Sequence, residues 1–310
     1  MENRCPITYQ LCGSARYSAE GLKLLNRNLA GLHEFPYTAP EQRLEAAGRM
    51  TRMSIQGVQP KLSAVVDLKA QGFKIVESGG HFIIKPQHEA YPFMPENEDL
   101  TMRLAAIIGI EVPLHGLLYC KDGSFSYFIR RFDRIGRREK YAVEDFSQLA
   151  GMTRETKYDF TIEQMIKLID KYCSFPVVEK AKFFRLVLFC FLTGNEDMHL
   201  KNFSLITRKQ KTEFSPAYDL LNTTLVLGNA EEEMAMMLAG RRKEFRRKEL
   251  VDYFGRERLN LTEAVIANVL NTFKQAYPSW GNLIAISFLS DKQKVEYAKL
   301  LHQRFQRLSL

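Results

Sequence analysis

The sequence predicts an α+β fold with a strand-rich first part and a mainly helical second part. Up to about residue 131, short segments alternate apolar and polar residues and are separated by turn signals, as half-buried strands are. From Val143 onward, apolar residues recur with the helical period. We therefore expect two lobes, residues 1–130 and residues 131–310.

Length, composition and charge limit the classes of protein to which this chain can belong. The 310 residues can bury a large core. No stretch of about eighteen apolar residues and no apolar N-terminal signal segment is present, so we expect a cytoplasmic protein with no membrane association. Five scattered cysteines indicate reduced thiols rather than a disulfide framework. The net charge of +8 favours anionic partners, although the six cations within Arg241–Lys248 are equally typical of a solvated helical face.

Turn and cap residues delimit the elements of the first part. Ser18 is a helix N-cap candidate, Gly109 a helix stop, and Lys121-Asp122-Gly123 a hairpin turn. The predicted elements are helices Ala19–Asn28 and Glu41–Gly48, strands Leu62–Asp67 and His81–Lys85, a helix from Pro95 to Ile108, and hairpin strands Leu114–Cys120 and Ser124–Arg131.

The second part is predicted to be built of helices around a short strand pair. The strands are Phe203–Ile206 and a strand-like segment at Phe214. The predicted helices are Glu144–Ala150, Thr161–Tyr172, Val177–Leu192, Lys243–Phe254, Leu261–Ala276 and Ser290–Phe305.

A polar cluster follows the apolar helix Val177–Leu192. Asp197 and Asn202 stand five residues apart, which is the spacing of the Asp and Asn in the catalytic loop of protein kinases. In that chemistry the Asp accepts or orients the attacking hydroxyl, and the Asn helps to hold a metal ion. Such a pair is also common in ordinary loops. A strand and a turn separate Asn202 from Asp219, so the chain can return this second acidic residue to the same place.

The first part has its own candidates. Lys85 ends an apolar strand, as the strand lysine of kinases does. The same pattern is also typical of a lysine at a sheet edge that extends its ammonium into solvent. Glu98 is the candidate acidic partner of Lys85, with Glu96 second; carboxylates there also complement a helix dipole. Residues 54–61 form a loop whose single glycine is typical of a hairpin turn.

Three motifs resemble the HipA family of bacterial serine/threonine kinase toxins. They are S-I-Q-G-V-Q-P-K-L-S from Ser54, N-E-D-M-H-L-K-N-F-S from Asn195 and A-Y-D-L-L from Ala217, and the likeness runs from about Met53 to Leu250. The chain is short for this family. It is most similar to the HipT branch, in which the small N-terminal domain is a separate protein.

This resemblance implies a two-lobed protein kinase-like fold that uses ATP and Mg²⁺. It implies Asp197 as the catalytic base, Asn202 and Asp219 as the metal ligands, and Ser54 as an autophosphorylation site, with Gln56 where some HipT kinases have a second serine. It implies that residues 54–61 form the loop over the ATP phosphates and that backbone groups near residues 130–132 hold adenine. The nucleotide contacts that it implies are Gln56, Gly57, Val58, Gln59, Lys61, Lys85, Arg130, Arg131, Phe132, His199, Lys201, Asn202, Tyr218 and Asp219.

The resemblance also implies partners. The substrate would be a protein, an aminoacyl-tRNA synthetase and, for the HipT branch, the tryptophanyl enzyme, whose phosphorylation blocks translation. A small HipS-like protein and a HipB-like DNA-binding antitoxin would complete the system, so we expect no sequence-specific nucleic-acid binding by this chain itself. Two other functions stay open: a small-molecule kinase on a related fold, and a non-catalytic component that binds through its basic surface.

Overall fold

The computed structural model describes residues 2–50, 60–136, 139–152, 160–228 and 231–310. Ser54, Gln56, Gly57, Val58 and Gln59 of the predicted phosphate loop lie outside these residues. The chain forms two compact units. The first unit is Met1–Asp99, Pro113–Glu139 and Ile286–Ser290; the second unit is Leu100–Val112, Lys140–Ala285 and Asp291–Leu310.

The first unit contains a five-stranded antiparallel sheet. The strands are β1 Leu62–Asp67, β2 Gly72–Ile75, β3 Phe82–Lys85, β4 His115–Tyr119 and β5 Phe125–Arg130, in the order β2-β1-β3-β5-β4. Phe73 and Phe82 pack edge to face with their ring centroids 5.2 Å apart, and the Phe128 ring lies 5.5 Å from that of Phe73. The predicted strands and the hairpin are confirmed, whereas β2 was not predicted.

Three helices begin in the first unit: α1 Ala19–Leu25, α2 Ala39–Met50 and α3 Met94–Ile107. Ser18 caps α1 by accepting from Gly21 N at 3.0 Å, as predicted. This helix ends before the predicted Asn28, because Asn26 already has an extended backbone. Gly109 follows α3 at φ 73°, a left-handed angle that glycine adopts without strain.

The second unit contains a three-stranded antiparallel sheet in the order β10-β9-β8. The short strands β6 Arg134–Ile135 and β7 Glu139–Lys140 precede β8 Ala142–Asp145, and β9 Ser204–Arg208 and β10 Lys211–Phe214 follow later in the chain. The helix predicted over Glu144–Ala150 is wrong in its first turn. Val143 pairs with Ile206 in the sheet, and α4 covers only Phe146–Leu149 because Asp145 caps it through Gln148 N at 2.8 Å.

The remaining helices belong to the second unit. They are α5 Ile162–Tyr172, α6 Pro176–Thr193, α7 Thr223–Leu227, α8 Lys248–Arg258, α9 Glu263–Ala285 and α10 Asp291–Arg307, with a 3₁₀ turn at Leu200–Asn202. The π-helical α8 begins after the predicted Lys243, because Glu233 accepts from Phe245 N at 3.0 Å and holds this segment outside the helix. The α9 helix continues past the predicted end, since Trp280 is buried and donates to Leu104 O at 3.0 Å.

Phenylalanine rings form the core of the second unit. Phe183 of the buried α6 lies 5.9 Å from Phe214 and 5.6 Å from Phe254, and Phe146 stacks on Phe214 at 5.4 Å. This core fixes the end of α6, from which the polar cluster emerges. Within the part of the chain that the structure describes, no helix combines the length and the apolar character needed to cross a bilayer.

Candidate active site

The loop that follows α6 is anchored to the start of α7. Gly194 ends α6 in the left-handed region at φ 68°, and its carbonyl oxygen accepts from Thr223 Oγ1 and from Thr224 N, each at 3.1 Å. A Cβ on Gly194 would lie 2.5 Å from Leu300 Cδ2 and 2.8 Å from Thr224 Oγ1. Glycine alone satisfies both the backbone angle and the available space.

Asp197 is held by its backbone while its carboxylate reaches solvent. Its N–H donates to Oδ1 of the buried Asn195 at 3.2 Å, and its carbonyl oxygen accepts from Asn202 Nδ2 at 2.8 Å. Its side chain is 53% exposed, and its Oδ1 lies 3.9 Å from Nε2 of the buried His199. A fixed backbone with an accessible carboxylate suits a group that takes a proton from a substrate.

Tyr218 anchors the segment that carries Asp219. Its hydroxyl donates to the Lys201 carbonyl oxygen at 2.9 Å and is hydrogen-bonded to Ser204 Oγ. Burial raises the pKa of Tyr218, so this hydroxyl stays a donor at neutral pH. Asp219 therefore follows a residue that is tied to the neighbour of Asn202. Contacts of Tyr218, Lys201 and His199 with a nucleotide stay predictions.

Asn202 and Asp219 offer the donor atoms that a magnesium ion prefers. Asn202 donates through its amide nitrogen to the Asp197 carbonyl, so the amide oxygen is the atom of this side chain that a metal could use. An amide oxygen and a carboxylate are hard oxygen ligands, and Mg²⁺ commonly takes only one or two protein ligands beside water and phosphate. The described residues hold no cluster of three or more His, Cys, Asp or Glu suited to a metal. The pair fits Mg²⁺.

A buried ion pair joins β3 to α3 in the first unit. Lys85 Nζ lies 2.6 Å from Glu98 Oε1, and both side chains are buried. The ammonium also lies 5.5 Å from the centre of the Tyr127 ring. The predicted pairing of Lys85 with Glu98 is confirmed, so a helix-dipole role alone does not explain this carboxylate. A contact between Lys85 and phosphate stays a prediction.

Two more buried acids of α3 have partners of their own. Glu96, the second candidate for Lys85, instead accepts from Gln87 Nε2 at 2.9 and 2.8 Å. Burial raises the pKa of Glu96 to about 7. Asp99 Oδ1 lies 2.8 Å from His115 Nδ1 on β4. The first turns of α3 are therefore attached to the sheet by two polar contacts, through Lys85 and His115, and to the segment just after β3 by a third, through Gln87.

The segment predicted to hold adenine uses its arginine side chains within the first unit. Arg130 donates to Leu24 O at 2.6 Å, and Arg131 forms a two-bond pair with Asp133 at 2.9 and 2.7 Å. The prediction assigned backbone groups near Phe132 to adenine, so these side-chain contacts leave it a prediction. Lys61 is exposed directly before β1.

Sequence reasoning missed the residues that position the cluster. Asn195 accepts from the Asp197 N–H, Thr223 accepts from the N–H of the preceding Glu196, and Ser204 is hydrogen-bonded to Tyr218. In the first unit, His115 pairs with Asp99. An Asn two residues before an Asp is a turn signal that could have indicated Asn195. The other contacts join distant parts of the chain and have no local signal.

Comparison with known proteins identifies a family that this chain matches. The model of the HipA-like C-terminal domain matches residues 53–280. A Haemophilus influenzae protein named "Putative kinase" is 33% identical over 223 residues, which are 67% of this chain and 64% of that protein. The Shewanella oneidensis "Serine/threonine-protein kinase toxin HipA" is 30% identical over 60% of this chain and 47% of its own length. The chain thus spans about half to two thirds of these relatives.

Two solved structures share the fold. HipA in the Shewanella oneidensis complex of HipA, HipB and operator DNA matches with a TM-score of 0.69 at 21% identity, over 89% of this chain and 72% of that chain. The Helicobacter pylori proinflammatory kinase CtkA matches with a TM-score of 0.54 at 15% identity, over 73% of this chain and 87% of that one. At these identities the likeness shows the fold alone, and the predicted α+β, kinase-like fold is confirmed.

Proposed function

Because the chain belongs to the HipA-like C-terminal domain family, we propose that it is an ATP-dependent serine/threonine protein kinase. The observation that carries the proposal is the frame in the second unit: Asn202 is bonded to the Asp197 backbone, and Tyr218 ties the segment before Asp219 to Lys201. One base and two oxygen ligands for a metal are the groups that phosphoryl transfer requires. The kinase names of the relatives support this assignment.

In the proposed reaction, the oxygen of a protein hydroxyl attacks the γ-phosphorus of ATP. The bond between this phosphorus and the β,γ-bridging oxygen breaks, ADP leaves, and the proton of the hydroxyl passes to the Asp197 carboxylate. Bound Mg²⁺, held by Asn202 and Asp219, would supply charge neutralisation on the phosphates. Lys85, oriented by Glu98, is the proposed contact for the α- and β-phosphates.

Finer assignments belong to the same proposal. We assign residues 1–130 and 131–310 to the two kinase lobes, and the loop of Gln56, Gly57, Val58, Gln59 and Lys61 to the ATP phosphates. The proposed substrate is an aminoacyl-tRNA synthetase, with the tryptophanyl enzyme first, in a HipT-like system with HipS-like and HipB-like partners in the cytoplasm. The structural relative comes from a complex of HipA, HipB and operator DNA, which supports an antitoxin partner.

The test incubates the purified chain with labelled ATP, Mg²⁺ and a cell extract, and identifies labelled proteins by mass spectrometry. Asp197→Asn and Asp219→Asn are each expected to lower transfer by about 100-fold or more, roughly 3 kcal/mol of transition-state stabilisation. Asp252→Asn is the matched control, because this half-buried carboxylate pairs with Arg256 on the same helix, α8, and belongs to no proposed site. Thermal unfolding of each variant verifies the fold.

Three outcomes decide between functions. Strong transfer by folded Asp197→Asn would remove this residue from the reaction. Label that enters only small molecules would make the chain a small-molecule kinase, and no ATP turnover at all would favour a binding component. Peptide mapping of the same samples should find phosphate on Ser54 in the wild type and none in Asp197→Asn; phosphate exclusively at other residues would move the regulatory site.

A further inference from the structure

The second unit contains a cavity to which no proposed catalytic residue contributes. It lies where the loop after α3 and the segment after β10 meet α6, and it has a volume of about 160 Å³. Ile110, Phe183, Leu186, Phe214 and Ala217 supply apolar walls. An apolar cavity of about 150 Å³ is large enough to admit benzene. The space therefore suits one aromatic ring or one branched aliphatic group.

Arg185 gives this apolar cavity a positive charge that no carboxylate of the described residues neutralises. Among the residues that the structure describes, no carboxylate forms an ion pair with Arg185. Its Nη1 makes only a long hydrogen bond of 3.4 Å to Gly109 O, and its buried Nε has no hydrogen-bond partner in the described chain. Burial also lowers the pKa of Arg185, as expected for a cation that loses water without gaining a counter-ion.

The other charged groups that line the cavity differ from Arg185 in this respect. Lys182 lies 2.8 Å from Glu179 and 3.8 Å from Glu213. Glu111 lies 3.3 Å from Arg208. Among the described residues that line the cavity, the Arg185 guanidinium is thus the charged group left to select a ligand, and its planar fork of N–H donors matches a carboxylate best.

We propose that this cavity is a binding site for a small aromatic or branched aliphatic carboxylic acid. The hydrocarbon part lies against Phe183, Leu186 and Phe214, and the carboxylate accepts from Arg185. Ala217 N donates to Glu111 O at 2.7 Å, and Tyr218 and Asp219 follow directly. A bound acid consequently steadies the backbone that leads into Asp219, which is a structural consequence independent of any transfer reaction.

The test measures binding of phenylacetate to the full chain by calorimetry and by ligand-observed NMR. Phenylacetate should bind at least about 10-fold more tightly than phenethylamine, which has the same ring and the opposite charge, because a charge-assisted hydrogen bond contributes a factor of this size. Hydrogen exchange at Ala217, Tyr218 and Asp219 should slow when phenylacetate is present. These readouts need no ATP, so their failure is distinguishable from failure of the kinase assignment.

Matched variants locate the site. Arg185→Gln should weaken phenylacetate binding about 10-fold or more, whereas Lys182→Gln should change it by less than about 3-fold, since Glu179 already occupies that ammonium. If Arg185→Gln does not fold, the preference of the wild type for the acid over the amine decides alone. Absent binding of phenylacetate, equal binding of the amine, or unchanged binding by folded Arg185→Gln would each overturn the proposal.

Discussion

Glu96 is expected to make the stability of this protein depend on pH, and Glu96→Gln to remove that dependence. Glu96 lies in the first turn of α3 and is 4% exposed. Burial is the largest cause that raises its pKa from 4.5 to about 7, and the charge of Asp99 raises it further. The hydrogen bonds from Gln87 oppose this change without cancelling it.

The direction of the effect follows from proton binding. The folded protein binds the Glu96 proton more tightly than the unfolded chain does. Below pH 4.5 the carboxyl is neutral in both states, so its burial does not lower the free energy of unfolding there. The free energy of unfolding then falls as the pH rises from 4.5 to about 7, and this loss is complete above that range. At 1.36 kcal/mol for each pKa unit, the full loss is about 3 kcal/mol.

Glu96→Gln keeps an amide oxygen that can accept from Gln87 but carries no charge at any pH. The variant should equal the wild type near pH 4.5 and exceed its stability by up to about 3 kcal/mol at pH 8. Urea unfolding at several pH values from 4.5 to 8 measures this difference. Glu257→Gln, at an exposed position of α8, is the control for losing one carboxylate. A Glu96→Gln variant that retains the pH dependence of the wild type would refute the reasoning.

Two further variants test the frame of each unit. Glu98→Gln should lower the free energy of unfolding by about 3 kcal/mol or more in urea, because an amide cannot neutralise the buried Lys85 ammonium; unchanged stability would show that the pair is not formed in solution. Gly194→Ala should lower the melting temperature by several degrees, roughly 1–3 kcal/mol, since the new Cβ meets Leu300 and Thr224 and the left-handed angle disfavours alanine; a melting temperature equal to that of the wild type would contradict this geometry.

Local rules predicted the elements whose signals are local. The hairpin turn at Lys121-Asp122-Gly123, the Ser18 cap and the strand that ends at Lys85 depend on a few neighbouring residues, and all three are present. The pairing of Lys85 with Glu98 could also be predicted from the sequence, because a kinase-like motif order limits the acidic partners to the first turns of one helix. Here the chemistry of the motif supplied what periodicity could not.

Contacts between distant residues were beyond such rules. The sequence pattern turns helical from Val143 onward. In the structure, Val143 instead pairs with Ile206 of β9, so strand pairing overrides the helical pattern of its neighbours. Tyr218 was predicted to face the nucleotide, and the hydrogen bonds of its hydroxyl to Lys201 and Ser204 depend on a register that the sequence does not contain. The sequence around His115 likewise gives no sign of its contact with Asp99, because that contact depends on how α3 packs on β4.

The backbone of Asp219 is the point where local preference and structure disagree. Its φ of 55° lies in the left-handed region, which costs a non-glycine residue about 1 kcal/mol. Glycine would relieve this strain at no steric cost, but it would remove the carboxylate. The hydrogen bonds of Tyr218, one residue earlier, hold the chain in place and offset the strain. An anchored carboxylate at this backbone angle supports the proposal that Asp219 is a metal ligand in phosphoryl transfer.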